Sequence, residues 1–218
     1  HYHCELAEEA LRLGDDEGSE GCLRNALAKD PGCVRATLLQ ARLALDRGEA
    51  DRAIHLYHRV GDQAPCFLAE ILPGLLEAFR GRPPSDLLET LRGLHREHPN
   101  GALLLAMADA VERVEGRQPA IRLLVEYVGG HADLAAVERL LELRELPLTA
   151  EGAEALGMLR TLSRVARYLR SRQPRYQCDH CGFVARRLHW QCPGCKHWAS
   201  VLPVQPAALG DSSEVTVA

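Results

Sequence analysis

Apolar residues recur at intervals of three and four along most of the chain, from Glu5–Leu13 to a last run over residues 151–172, which is the spacing that lines one face of a helix. The punctuation between these runs is periodic. Pro31, Pro65 and Pro99 are spaced at 34 and 34, and Gly14, Gly48 and Gly116 at 34 and twice 34. A period of this length predicts stacked helix pairs, each burying its apolar stripe against its neighbours. The clearest copy is 34–65, with small residues at Ala41, Ala44 and Ala53, then Tyr57, Val60 and a closing Pro65. Small side chains let two antiparallel helices approach and the aromatic fills the space between units. Gly48 turns the chain, and the proline stops the second helix.

The pattern resembles the tetratricopeptide repeat, and the expected fold class is a mainly α helical solenoid with a small C-terminal metal knuckle domain. The expected divisions are 1–172 for the solenoid (repeats about 1–31, 34–65, 68–99 and 102–130, with a final helix pair over 133–172), 173–203 for the metal-binding domain and 204–218 for a disordered tail. Residues 1–31 repeat the pattern with Ala7, Ala10, Gly14, Ser19, Leu23, Ala26 and Pro31. The third copy keeps Ala78, Leu91, Leu94 and Pro99 but places Leu75 and Leu87 where small residues are expected, and the fourth has Asp109 at one such position. The final pair, 133–146 and 151–172, is joined through Pro147 to Ala150, with Thr149 as a cap and Glu151 in the first turn. Its second helix would be about 33 Å long.

Composition narrows the class. With 218 residues, 46% hydrophobic, and 26 Lys+Arg against 30 Asp+Glu, the chain reads as a soluble globular protein, not a disordered or collagenous one. The longest uncharged run, His197 to Gly210, contains Pro203 and Pro206 and falls short of the ~20 apolar residues that a bilayer requires. The opening on His1, directly in helical pattern, is read as that of a fragment or mature form.

The eight cysteines form two groups. Cys4, Cys22, Cys33 and Cys66 lie in helical pattern and read as small buried hydrophobes. Cys178, Cys181, Cys192 and Cys195 form two C-x-x-C pairs, which predict one tetrahedral four-sulfur site for a single ion, zinc or iron. Knuckles of this kind aim backbone N–H groups at the sulfurs and need a residue tolerant of positive φ, a role that Gly182 and Gly194 are expected to fill. Phe183 to Gln191 has the length of a short hairpin. A piece this small has little core, so the ion supplies much of its folding free energy. Four cysteines close the ligand shell, leaving His180 and His197 beside it and no open position for hydrolysis. His55, His58, His95 and His98 read as surface residues, and no catalytic constellation stands out.

Charge is uneven within the net −4. From Arg160 to Ser200 nine basic residues face a single acid, Asp179. Arg160, Arg164, Arg167, Arg186 and Arg187 form the candidate partner surface. Such an end suits nucleic acid, anionic lipid or an acidic partner. The aromatics Tyr176, Phe183, Trp190 and Trp198, which could stack on bases, are assigned instead to the core of the small domain.

Helical repeats running into Tyr176, Cys178, Cys181, Gly182 and Phe183, then Leu188, Trp190, Cys192, Pro193, Cys195 and Trp198, closely resemble the lipopolysaccharide assembly protein B family of Gram-negative bacteria, also called YciM. The resemblance implies a non-enzymatic adaptor on the cytoplasmic side of the inner membrane, held by an N-terminal anchor outside this chain. Its implied role is to promote proteolysis of the lipid A deacetylase LpxC by the membrane protease FtsH and to gather assembly factors. It also implies a rubredoxin-like site with Cys178, Cys181, Cys192 and Cys195 as ligands, usually to iron. The alternatives are a nucleic-acid-binding basic ribbon on a helical scaffold and an iron redox protein.

Overall fold

A computed structural model describes residues 1–143 and 150–205, without the side chains of 150–156. Thr149, the Glu151 side chain and the tail from residue 206 lie outside the described residues. Ten α-helices are described, α1 (Tyr2–Arg12), α2 (Asp16–Lys29), α3 (Val34–Asp46), α4 (Ala50–Gln63), α5 (Leu68–Ala78), α6 (Pro84–Glu97), α7 (Gly101–Glu115), α8 (Arg117–Gly130), α9 (Leu134–Leu143) and α10 (Ala150–Arg172). Their starts are marked by polar caps at several points. Asp15 Oδ1 accepts from Gly18 N at 2.8 Å, Asn100 Oδ1 from Ala102 N at 2.9 Å, and Asp133 Oδ1 from Ala135 N at 2.9 Å. Gly14, Gly48 and Gly116 all adopt positive φ where one helix of a pair turns into the next.

The helices pack in series as a solenoid. The first helices α1, α3, α5, α7 and α9 touch one another in order and form one layer, and each second helix packs on the first helix of the following unit. Tyr57 of α4 reaches over Gly74 of α5 in the next unit, where a Cβ would collide with its hydroxyl, whereas Tyr127 of α8 lies over Gly101 of α7 in its own unit and reaches the next unit through its hydroxyl, which donates to Asp133 Oδ2 at 3.2 Å. These are the aromatic fillers that the repeat predicts. Ion pairs add a second tie between units. Arg47 Nη1 lies 2.9 Å from Glu20 Oε2, Arg82 Nη1 2.8 Å from Asp51 Oδ1, and Arg139 Nε 2.7 Å from Asp109 Oδ1. The decayed third copy has a structural counterpart. Leu75 and Leu87 are both buried, and the close backbone approach within the other units is lacking between α5 and α6 among the described residues. Two leucines where small residues would sit hold the pair apart, and α6 packs closely on α7 instead.

After α10 the chain forms a three-stranded antiparallel sheet of order β2-β1-β3, from β1 (Tyr176–Cys178), β2 (Val184–Ala185) and β3 (Val201–Pro203). Tyr176 pairs with Ala185 and with Pro203, and Cys178 pairs with Val201. The expected hairpin within 183–191 is displaced. The first knuckle itself is the turn between β1 and β2, and the second is closed by a bridge between Gln191 and Trp198. None of the described helices is long and apolar enough to cross a membrane.

Candidate metal centre and its seat on the repeats

The two knuckles have the same backbone bonding. Cys178 N donates to Phe183 O at 2.8 Å and Gly182 N to Cys178 O at 3.0 Å. Fourteen residues later Cys192 N donates to His197 O at 2.8 Å and Lys196 N to Cys192 O at 2.9 Å. Both turns require a left-handed residue at the same place. Gly182 fills it with φ 74°, and Lys196 fills it with φ 63°. The expectation for Gly194 is therefore corrected. It does not adopt positive φ, and its lack of a side chain leaves room beside Cys181 Sγ, which lies 3.4 Å from where a Cβ would be.

All four sulfurs lie within 4.8 Å of one another. Cys178 Sγ is 3.7 Å from Cys195 Sγ, and Cys181 Sγ is 3.7 Å from Cys192 Sγ. A tetrahedron with metal–sulfur bonds of about 2.3 Å has edges of about 3.8 Å, whereas a disulfide is about 2.05 Å. The donor set fits one ion. Cys178 and Cys192 are buried and Cys181 is exposed, so the site opens to solvent on one side. Ser200 Oγ lies 3.3 Å from Cys178 Sγ. That contact, followed by the backbone N–H groups of Cys181 and His180, holds the Cys178 thiol down at about 6 and favours the thiolate a metal requires. His180 and His197 lie against each other beside the cluster, with ring centroids 3.6 Å apart and planes tilted by 37°, both exposed.

The ribbon lies across the N-terminal ends of successive first helices. Trp190 stacks on Phe67 at the start of α5, with centroids 5.6 Å apart, and the Tyr176 hydroxyl donates to Glu70 Oε1 at 2.6 Å. Asn100, the cap of α7, donates to Gln205 Oε1 at 3.3 Å, and Gln205 Nε2 donates to the Cys66 carbonyl at 3.3 Å. Leu188, Trp190 and Leu202 pack against the core of the repeats. At the other end Arg35 of α3, only 4% exposed, has its guanidinium 5.9 Å from both the Trp190 and the Trp198 rings. Its charge is met by Glu5 at 2.7 Å and Glu8 at 2.8 Å. The sequence reasoning missed Arg35. The available signal is an arginine on the first turn of an apolar helix, with two acids one repeat earlier.

The candidate basic residues do not form one patch. Arg167 Nε donates to Glu138 Oε1 at 2.8 Å and Arg186 Nη2 to the Ser171 carbonyl at 2.7 Å, and both line a cleft of about 910 Å³ between the first-helix layer and the end of α10. Arg160, Arg164 and Arg187 are exposed and lie outside that cleft. His98 Nε2 is 3.3 Å from Asp62 Oδ1, and His95 Nδ1 accepts from Asn100 N at 3.4 Å.

Residues 176–203 match the family model of the rubredoxin metal binding domain. Lipopolysaccharide assembly protein B of Escherichia coli (strain K12) is 27% identical over 209 residues, covering 94% of this chain and 52% of the relative. The protein of the same name from Haemophilus influenzae is 29% identical over 204 residues, 93% of this chain and 50% of the relative. The chain spans about half the length of these curated relatives. Among solved structures, PilF of Pseudomonas aeruginosa is 16% identical, covers 78% of this chain and 81% of its own, and has a TM-score of 0.45. The similarity to lipopolysaccharide assembly protein B thus runs through nearly the whole chain, while the repeat architecture stands on the helix packing itself.

Proposed function

We propose that this chain is the partner-binding and metal-binding part of a non-enzymatic adaptor in lipopolysaccharide assembly. In this reading residues 1–172 are the solenoid that presents the partner surfaces. Residues 173–203 are the unit that fixes them, with Cys178, Cys181, Cys192 and Cys195 as ligands to one ion. The observation that carries the reading is the seat of the ribbon. A metal-held unit is tied to α3, α5 and α7 through Arg35, Phe67, Glu70 and Asn100, so folding of the knuckles and the shape of the first-helix layer depend on each other. An ion there acts as a structural clamp, and its closed sulfur shell leaves no position for substrate.

The finer assignments rest on the similarity to lipopolysaccharide assembly protein B. The partners are the membrane protease FtsH and the deacetylase LpxC, whose proteolysis the adaptor promotes. The place is the cytoplasmic side of the inner membrane, reached through an anchor that precedes this chain. The ion is iron, which in four-sulfur coordination gives a coloured protein, whereas zinc gives a colourless one. The nucleic-acid alternative loses two of its four stacking candidates, because Trp190 is engaged with Phe67 and Tyr176 with Glu70, whereas Trp198, expected in the core, is 39% exposed and stacks on His1. The test is turnover of LpxC by reconstituted FtsH with the full-length protein, wild type against Cys178→Ser with Cys181→Ser. Severalfold slower turnover with unchanged helix content is expected. Equal turnover by the two proteins overturns the reading.

A further inference from the structure

Cys4 of α1 and Cys33 at the N-cap of α3 meet between the first and second units, with their sulfurs 3.8 Å apart. Both are buried, Cys4 completely and Cys33 at 6% exposure. Among the described residues no third ligand joins them, so the pair is not a metal cluster like that of the ribbon. A bond between them is within reach, since a disulfide of about 2.05 Å asks the sulfurs to close by roughly 2 Å. The two thiols are unequal. Cys33 stands at the start of a 13-residue helix, where the helix dipole favours an anion. A hydrogen bond from the Cys4 thiol, against the opposing effect of burial and with help from the Ala36 N–H, holds the Cys33 thiol below its ordinary range. The same bond, followed by burial, pushes the Cys4 thiol up. One sulfur is thus the thiolate and the other the proton donor at its side, which are the parts of an attacking and a resolving cysteine.

We propose that Cys4 and Cys33 form a reversible disulfide under hydroperoxides, a covalent modification site that locks α1 onto α3. In the first step the Cys33 thiolate attacks one peroxide oxygen. The S–O bond forms as the O–O bond breaks, and the departing oxygen takes a proton from solvent and leaves as water or an alcohol. In the second step the Cys4 sulfur attacks the sulfur of the Cys33 sulfenic acid. The S–S bond forms as the S–O bond breaks, and the hydroxyl leaves with the Cys4 proton as water. The peroxide gains two electrons and the two sulfurs lose them. A small neutral oxidant suits a pair with so little exposure. The bond closes residues 4–33 into a loop around α2, and it lies beside the ion pairs of Arg35 with Glu5 and Glu8 on the same two helices. Oxidation therefore fixes the first unit to the second at one end of the ribbon's seat.

The test is exposure of the folded 218-residue chain to a small molar excess of hydrogen peroxide, followed by trypsin without reductant and mass spectrometry. The expected product joins peptide 1–12 to peptide 30–35, lighter by two hydrogens than the separate thiols, and dithiothreitol releases it. Cys33→Ser should leave Cys4 reduced, and Cys4→Ser should leave Cys33 as a sulfenic acid that dimedone traps. Serine is a good helix cap and close to cysteine in size, and circular dichroism checks that both variants keep their helices. Oxidised wild type should melt several degrees above the reduced protein, a rise that Cys4→Ser lacks. The same variant corrects for oxidation at the four ribbon cysteines. Absence of the linked peptide from folded protein, its formation only after denaturation, oxidation of Cys4 undiminished in Cys33→Ser, or a link without a rise in melting would each overturn the proposal.

Discussion

In the repeats the fully buried side chains are spread along the chain, from Leu23 through Leu68, Ile71, Leu75, Leu91 and Leu103 to Leu124 and Leu143, and each unit leans on the next. In the ribbon the buried set is Tyr176, Cys178, Cys192 and Val201, two of which are metal ligands in the proposed site. The first region holds its shape by burying apolar area many times over. The second has almost no core and rests on the surface beneath it and, in the proposed site, on an ion. What joins them is a small set of specific contacts, so loss of the ion should undo the ribbon and its seat while the helices remain.

The sharpest way to break that contrast is metal removal. Structural four-sulfur sites supply on the order of 10 kcal/mol of folding free energy, more than the ribbon can replace. Both tryptophans of the chain, Trp190 and Trp198, are in the ribbon, so their fluorescence reports it separately from the helical circular dichroism. A strong chelator, or Cys178→Ser with Cys181→Ser, should shift tryptophan emission to the red while the helical signal stays nearly constant. Simultaneous loss of both signals would show that the repeats also depend on the ion.

Next in size is a cavity in the array. Leu103→Ala, at a fully buried position of α7, should cost about 2–5 kcal/mol in denaturant unfolding followed by circular dichroism. A cost below about 1 kcal/mol would mean that the units relax far more than their packing implies.

The seat itself should respond less. Tyr176→Phe removes the hydroxyl bonded to Glu70 and should weaken docking by about 1–2 kcal/mol, read by the chelator concentration at which tryptophan emission shifts. The Tyr57, Tyr127 and Tyr176 hydroxyls are pushed up to about 12, mainly by burial. In the unfolded chain they ionise near 10. The folded state therefore holds these protons longer, and its stability is whole below pH 10 and falls as pH rises towards 12. Thermal melts across that range should decline, and Tyr176→Phe should flatten the part of the decline seen by tryptophan. At the acid end Glu20, held down at about 2 by Arg52 and Arg47, contributes stability that is whole above pH 4.5 and lost as pH falls towards 2.

The smallest effect sharpens the comparison between the two knuckles. Lys196 occupies the left-handed position that Gly182 occupies in the first turn. Lys196→Gly should make the ribbon about 1 kcal/mol more resistant to chelation, whereas Gly182→Ala should weaken it by a similar amount. Equal behaviour of wild type and both variants would remove the strain argument.

The spacing of prolines and glycines was enough to read the helix pairs, because a turn residue and a helix stop act locally and repeat wherever the unit repeats. The clustering of four cysteines was legible for a related reason: two C-x-x-C turns each bring a pair of thiols together within four residues. Leu75 and Leu87 could be named as departures from the sequence alone, but that they separate α5 from α6 is a matter of packing. The hairpin expected within 183–191 was misplaced because the knuckles themselves are the turns, and Lys196 stands in the register that Gly182 holds in the first knuckle although its residue type does not itself favour a left-handed backbone. Only the tertiary structure places Trp190 on Phe67, Tyr176 on Glu70 and Arg35 against two indole rings. These partners are more than 100 residues apart, and no local pattern encodes a contact that exists only once the solenoid has formed the surface on which the ribbon lies.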